Sequence, residues 1–172
     1  MNKTMVLVES PGRINMIGEH IDYNGGVVMP ASINKKLLIE IKSSTSEYSF
    51  IKSKLFNESI KVDLKKVKRS EVSWHNFILG VLDNLINKKG FELSNFHCVI
   101  GGDLPVGAGI SSSSALICGL LKGICLINSL NLNKDDIIKI AREVEHEYIG
   151  VKGGIMDQFT IMNGKTDKLI LL

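Results

Sequence analysis

The centre of the chain places a strand, a glycine-rich turn and a long apolar helix in direct succession, which restricts the fold more than any other feature. Residues 96–100 have the apolar pattern of a strand, and Gly101-Gly102 interrupts it. From Ser111 to near Asn128 the sequence is strongly apolar and predicts a helix. A strand that leads through a turn into such a helix is typical of folds that mix α and β structure.

Other segments predict further strands in the first third of the chain and further helices after it. Short apolar runs predict strands at residues 5–8, 27–32, 37–41, 48–54 and 59–62. The pair Pro11-Gly12 is expected to stop the first strand. Helical spacing of apolar residues predicts a helix over residues 73–87, and a further helix is expected to start after Asn133 and end at Gly150. No repeat, low-complexity tract or linker divides the chain.

Composition excludes several classes of function. The 21 basic and 18 acidic side chains are spread along the chain, so the net charge of +3 does not predict a nucleic-acid partner. No apolar run is long enough for a membrane span or a signal peptide, so no membrane partner is expected. Cys98, Cys118 and Cys125 lie in apolar surroundings without metal-binding spacing, which predicts reduced packing residues in a cytoplasmic protein.

Three segments contain more glycine and polar residues than a connecting loop requires. They are PGRINMIGEHIDYNGG at residues 11–26, VGAGISSSSAL at residues 106–116 and GVKGGIMDQ at residues 150–158. The first holds a cation and three titratable groups, the second is rich in hydroxyls, and the third has a carboxylate beside two glycines. Together they predict a site for phosphoryl transfer.

The glycine-rich turn before the central helix is suited to bind phosphate, because the first N–H groups of a helix lack partners and its dipole favours an anion. It is not a Walker loop, since Ala108-Gly109 stands where Lys and Ser or Thr are required. It is not a dinucleotide fingerprint either, since Ser112 replaces the third glycine. The serines 111–114 either cap a buried helix or, since one hydroxyl is enough for capping, contact phosphate or Mg²⁺.

Carboxylates at two places suggest different roles. Glu143, Glu145 and Glu147 lie toward the C-terminal end of a predicted helix, where the dipole disfavours negative charge. They are either solvated surface groups or partners of a bound cation. Asp157 lies among apolar residues after Gly153-Gly154, a setting in which a carboxylate can accept a proton from a hydroxyl or orient it for attack.

The three segments together resemble the galactokinases of the GHMP kinase superfamily. Residues 12–26 are similar to that family's GRVNLIGEHTDYNGG, residues 105–116 to PxGAGLSSSAAL, and the residues up to Asp157 to CGIMDQ. Trp74 and Gly80 fit the family as well, so the resemblance covers nearly the whole chain. It implies an α+β fold with a mixed β-sheet backed by α-helices.

The resemblance implies roles for residues around the sugar. The positions that match sugar-binding residues of the family are Glu19, His20, Asp22 and Gly154. Asp157 matches the catalytic base, and Arg13 matches the cation that stabilises both the base and the charge on the transferring phosphoryl group.

The resemblance also implies roles around the nucleotide. The ATP-phosphate loop would consist of Gly107, Ala108, Gly109, Ile110, Ser111, Ser112 and Ser113. Ser113 and Glu145 match the positions that hold Mg²⁺, so ATP and Mg²⁺ are the expected cofactors. The sequence departs from the family pattern at Ile21, Ser114 and Gly153, where Thr, Ala and Cys are usual.

The activity implied is ATP-dependent phosphorylation of the anomeric hydroxyl of galactose, giving galactose 1-phosphate. Residues 1–172 would form the N-terminal GHMP kinase domain, with the family's C-terminal half as a missing partner, so we expect the chain to be part of a longer enzyme. Two alternatives remain open at this point. One is a kinase for the same position of another sugar, and the other is a non-catalytic domain that binds sugar or nucleotide.

Overall fold

The computed structural model describes residues 4–18 and 21–172, in which a five-stranded sheet has its helices on one face. The strands are β1 (Met5–Asn15), β2 (Pro30–Ser43), β3 (Ser49–Ser53), β4 (Glu58–Val62) and β5 (Phe96–Gly102). Their order across the sheet is β1-β2-β5-β3-β4. Only β3 and β5 are parallel, and the other pairs are antiparallel. The sheet is therefore mixed, which confirms the predicted α+β class.

Four helices follow the early strands; apolar spacing predicts the first three, whereas the short last helix was not predicted from the sequence. They are α1 (Ser73–Asp83), α2 (Ser112–Ile127), α3 (Lys134–Glu143) and α4 (Met156–Asn163). Two of them continue as π-helical turns, α1 through Asn84–Lys88 and α3 through Val144–Ile149. Among the described residues, no helix is both long enough and apolar enough to cross a membrane.

Helix α2 lies directly on the sheet because two of its glycines allow close contact. A Cβ on Gly119 would lie 2.7 Å from Ile39, and a Cβ on Gly123 would lie 2.4 Å from Ile41. Both isoleucines are fully buried in β2. This packing fixes the start of α2, and with it the glycine-rich turn, against the end of β1.

The prediction that Pro11-Gly12 stops the first strand is wrong. Strand β1 continues to Asn15, and its pairing with β2 shifts register between Pro11 and Arg13. Proline is tolerated in edge strands and at bulges, where its missing N–H removes no ladder hydrogen bond. Because β1 is an edge strand, the bulge changes the direction of the strand without ending it. Arg13 therefore still belongs to the sheet.

Local signals after the sheet are confirmed. Asn133 caps α3 through a reciprocal capping box with Asp136. Gly150 ends the π-helical turn with a φ of 91°, in the left-handed region that favours glycine. The three cysteines are buried and unpaired, as their apolar surroundings predict.

Candidate active site

An ion pair between the first strand and the last helix forms the centre of the site. Nε of Arg13, on β1, lies 2.6 Å from Oδ1 of Asp157, in the first turn of α4. The side chains retain only 13% and 27% of their exposure, so water screens the pair incompletely. Nη1 of Arg13 also donates to the carbonyl oxygen of Gly109 at 3.0 Å. The guanidinium therefore links the carboxylate to the glycine-rich turn.

The glycine-rich turn has the open backbone that the sequence indicates. Gly107 and Gly109 have φ values of 75° and 70°, and a Cβ on either would meet no atom within 4 Å. The backbone N–H of Arg13 donates to the carbonyl oxygen of Ile110 at 3.1 Å, which ties the turn to β1. Helix α2 begins at Ser112 with no side-chain cap. Its first N–H groups are thus left for another acceptor.

The four serines after this turn divide into two pairs. The hydroxyl of Ser111 donates to Oδ2 of Asp157, and the hydroxyl of Ser114 donates to Oε1 of Glu145 at 2.6 Å. In the described part of the chain, the hydroxyls of Ser112 and Ser113 have no such partner. The expectation that surplus hydroxyls contact phosphate or Mg²⁺ therefore fits only these two, and none of the four caps the helix.

Glu145 differs from its neighbouring carboxylates. It is 8% exposed and is held by Ser114 and by Nε2 of Gln158, which donates to Oε2 at 2.5 Å. Burial raises the pKa of Glu145 to about 7, and the nearby Asp157 raises it as well, although the two hydrogen bonds and Arg13 oppose the shift. The carboxyl group is thus easily neutralised in the absence of a cation.

The other two glutamates have lysine partners. Glu143 pairs with Lys89 at 3.0 Å, and Glu147 pairs with Lys88. These lysines supply the positive charge that the end of the helix requires. The cation that the acidic helix end suggests is therefore needed only at Glu145.

A cleft of about 260 Å³ brings the predicted site residues together. Arg13, Asp22, Ser113, Glu145 and Asp157 all line it. At its edge a Cβ on Gly154 would lie 2.2 Å from Oδ2 of Asp22, so only glycine fits there. Glu19 and His20, which the sequence predicts as sugar ligands, lie outside the described residues.

A second cavity, of about 270 Å³, lies on the other side of Ser113 and is mainly apolar. Val106, Gly107 and Ser112 form its border with the glycine-rich turn. Phe56 and Trp74 line it as a stacked pair with ring centroids 5.3 Å apart. An aromatic cavity next to a glycine-rich turn can hold a flat ring system.

The residues near Glu145 fit Mg²⁺. Oε1 of Gln158 is buried without a hydrogen-bond partner in the described residues, beside the Glu145 carboxylate. Carboxylate, amide and hydroxyl oxygens are donors that Mg²⁺ prefers. No group of three or more His, Cys, Asp or Glu side chains converges within residues 4–18 and 21–172. Mg²⁺ is commonly bound through one or two carboxylates together with substrate phosphates.

Sequence reasoning missed two contacts of the site. Ser114 stands where the resembled family has Ala, and a hydrogen bond from it to Glu145 was not expected. Gln158 ends the third of the polar segments, at residues 150–158, but the sequence pointed only to its neighbour Asp157. The fourth consecutive serine was the available signal for Ser114, and a glutamine next to the selected carboxylate was the signal for Gln158.

Two family models match the chain. The model of the GHMP kinases N-terminal domain matches residues 76–165, and the model of the galactokinase galactose-binding signature matches residues 1–43. Because the first match spans more than half of the chain, the chain belongs to the GHMP kinase family. Within that family it carries the galactose-binding signature of the galactokinases.

Curated relatives agree with this assignment. The chain is 40% identical to the galactokinase of Thermotoga maritima over 165 residues, which are 96% of this chain and 45% of the relative. It is 46% identical to the galactokinase of Clostridium perfringens over 171 residues, which are 95% of this chain and 43% of the relative. The chain thus spans slightly less than half the length of these relatives.

Solved structures have the same fold. The Lactococcus lactis galactokinase complexed with galactose superposes with a TM-score of 0.91 at 33% identity, over 99% of this chain and 45% of that structure. The Methanococcus jannaschii mevalonate kinase superposes with a TM-score of 0.81 at 23% identity, over 96% of this chain and 55% of that structure. The second likeness shows the fold alone.

Proposed function

We propose that this chain provides the sugar-binding and ATP-binding site of a galactokinase, which transfers the γ-phosphoryl group of ATP to the anomeric hydroxyl of galactose. The observation that carries the proposal is the 2.6 Å pair between Arg13 and Asp157, located where the cleft meets the glycine-rich turn. The galactose-binding signature over residues 1–43 supports galactose as the sugar.

The sugar would occupy the cleft beside Asp22 and Gly154. A carboxylate accepts hydrogen bonds from two hydroxyls at once and so distinguishes their stereochemistry. Because a side chain at position 154 would displace Asp22, the glycine keeps this carboxylate in place. Glu19 and His20 belong to the same signature, and we assign them to the sugar as well.

ATP would bind on the other side of Ser113. The turn of residues 107–111 and the first N–H groups of α2 would receive the phosphates, with the hydroxyls of Ser112 and Ser113 as additional donors. The purine would enter the apolar cavity against Phe56 and Trp74. In this arrangement the phosphate tail would lie between the purine cavity and the sugar cleft.

Mg²⁺ would be held by Ser113 and Glu145, with Gln158 beside them. When bound, this cation neutralises charge on the phosphate oxygens. Ser114 and Gln158 fix the orientation of the Glu145 carboxylate through its two oxygens.

In the transfer itself, the anomeric oxygen of the sugar forms a bond to the γ-phosphorus while the bond from that phosphorus to the β,γ-bridging oxygen breaks. Asp157 accepts the hydroxyl proton, and ADP leaves with the electron pair of the broken bond. Arg13 stabilises the negative charge that spreads over the transferring phosphoryl oxygens. No covalent bond to the protein is required.

This chain corresponds to slightly less than half of each relative. Since they are about twice as long as this chain, we propose that the activity needs a segment equivalent to their other half. The chain would then act as their N-terminal domain does, over residues 1–172. The three buried, unpaired cysteines support a reducing, cytoplasmic location.

The test is phosphorus NMR of the chain with ATP, Mg²⁺ and galactose, run beside the Asp157→Asn variant. Since transfer is proposed to need the other half, the proposal expects calorimetric binding of both galactose and ATP to the chain alone. It expects a galactose 1-phosphate signal, which Asp157→Asn loses, once the complementary segment is supplied. Transfer to another sugar in preference to galactose would contradict the substrate. Failure to bind either ligand would contradict the proposal as a whole.

A further inference from the structure

The hydroxyl of Ser111 is buried and makes a hydrogen bond within the protein. It donates to Oδ2 of Asp157, while Arg13 donates to Oδ1 of the same carboxylate. Ser111 is 8% exposed, so its hydroxyl has little access to water. Both oxygens of the proposed base are therefore held, one by a strand and the other by the glycine-rich turn.

Ser111 has a backbone conformation that a serine adopts at a cost. Its φ is 60° and its ψ is 41°, in the left-handed region, where a side chain costs about 1 kcal/mol. Gly107 and Gly109 reach the same region in the same turn without that penalty. A residue with a Cβ at position 111 is thus unfavourable for the turn, unless its side chain makes a contact that offsets the cost.

Neither helix capping nor contact with a phosphate explains the serine side chain at position 111. Ser111 directly precedes α2, yet its hydroxyl makes no capping hydrogen bond to the helix. It is also directed to a carboxylate, which is the wrong partner for a hydroxyl that serves a phosphate. Asp157 is therefore the contact that explains a serine here.

We infer that Ser111 is a positioning residue that couples the phosphate-binding turn to the carboxylate of Asp157. The inference rests on the proposed function. Residues 109–111 hold both members of the central ion pair, since Gly109 and Ile110 accept hydrogen bonds from Arg13 and Ser111 donates to Asp157. Because the donor to the proposed base lies in this turn, any displacement of the turn also displaces that donor.

Two substitutions separate this role from a purely structural one. Ser111→Ala removes the hydroxyl and keeps the backbone penalty, whereas Ser111→Gly removes both. Asn57→Gly is the matched control, because Asn57 has a φ of 53° in the exposed turn between β3 and β4. For all three variants and the wild-type chain, the thermal midpoint and the galactose affinity are measured, the latter by calorimetry.

The inference expects both Ser111 variants to bind galactose about tenfold more weakly than wild type, as for a lost hydrogen bond to a charged group. It also expects Ser111→Gly to melt at a higher temperature than Ser111→Ala, because glycine removes the backbone penalty. The two variants would then differ in stability but bind galactose equally weakly. Asn57→Gly should bind galactose as wild type does. Wild-type affinity in Ser111→Gly would overturn the inference, because the residue would then serve only the shape of the turn.

A second measurement keeps the inference testable if the wild-type chain binds no galactose, an outcome that would count against the proposed function. The effect of Ser111→Ala on the thermal midpoint is measured with and without Asp157→Ala. If the side chains of Ser111 and Asp157 are coupled, Ser111→Ala lowers the thermal midpoint less in the Asp157→Ala background than in the wild-type chain. Equal effects in both backgrounds would show that the two side chains act independently, and the inference would fail.

Discussion

Arg13 and Asp157 are 144 positions apart in the sequence, yet their side chains form a hydrogen-bonded ion pair of 2.6 Å. One residue lies on the edge strand and the other lies in the first turn of the last helix. The pair therefore joins the two ends of the fold at the point where the proposed phosphoryl transfer takes place.

The first prediction concerns the geometry of the Arg13 side chain. In Arg13→Lys the charge remains, but a single ammonium group cannot replace the planar fork that contacts Asp157 and Gly109 together. We expect the transfer rate at saturating substrates to fall about 100-fold or more, as for loss of a donor to a developing charge. The rate is measured as ADP release by the chain together with the segment that supplies its other half. A lysine variant with the wild-type rate would show that charge alone is sufficient.

The neighbouring glycines 153 and 154 provide a matched pair for the second prediction. A Cβ at position 154 would overlap the carboxylate of Asp22, whereas a Cβ at position 153 would meet no atom within 4 Å. Gly154→Ala should therefore weaken galactose binding by about tenfold or more, through the loss of an oriented hydrogen bond. Gly153 also lines the cleft, but a Cβ there meets no protein atom, so Gly153→Ala should weaken galactose binding much less than Gly154→Ala does. It should also raise the free energy of unfolding by about 0.4–1 kcal/mol, because it restricts the unfolded chain.

Calorimetry with galactose and denaturant unfolding check the two halves of this prediction. Equal galactose affinities in the two alanine variants would contradict the role of Gly154 beside Asp22. A lower free energy of unfolding in Gly153→Ala would show that the turn before α4 needs glycine at both positions.

The fold was more predictable from the sequence than the contacts of the site. Apolar spacing and the glycine-rich turn were enough to predict α1, α2 and the mixed class, because these signals are local. Pro11-Gly12 was misjudged, since a bulge in an edge strand tolerates the proline that would end an interior strand. The partners of Ser111 and Ser114 could not be predicted, because Asp157 and Glu145 follow them by 46 and 31 positions and reach them only through the tertiary fold.

The third prediction follows from the raised pKa of Glu145. Its value of about 7 in the folded protein exceeds the ordinary 4.5, so the folded state binds the proton more tightly than the unfolded state does. The stabilisation is therefore complete below about pH 4.5 and is lost as the pH rises through about 7, by up to roughly 3 kcal/mol. Glu145→Gln should remove this part of the pH dependence and unfold at a higher denaturant concentration than wild type near pH 8.

Mg²⁺ provides the complementary measurement at Glu145. A bound cation favours the ionised carboxylate, so millimolar Mg²⁺ should raise the thermal midpoint of the wild-type chain near pH 8. The Glu145→Gln variant should respond much less. An equal response of the two chains would place the cation elsewhere.

The fourth prediction tests the apolar cavity as the purine site. Phe56 is 40% exposed and stacks on Trp74 in the cavity, whereas Phe50 is 41% exposed on the sheet face that the helices leave open. Phe56→Ala should lower ATP affinity by about tenfold, as for the loss of an aromatic contact. Phe50→Ala should not change it, and neither variant should affect galactose binding. Equal ATP affinities in the two variants would exclude this cavity.

The central claim is that Asp157 receives the hydrogen of the anomeric hydroxyl, and the most direct measurement is a calorimetric comparison of galactose with 1,5-anhydrogalactitol, which lacks that hydroxyl. The wild-type chain should prefer galactose by about tenfold, as for one hydrogen bond to a charged group. In Asp157→Ala the preference should disappear. An equal preference in both chains would contradict the account, because the anomeric hydroxyl would then have a different partner.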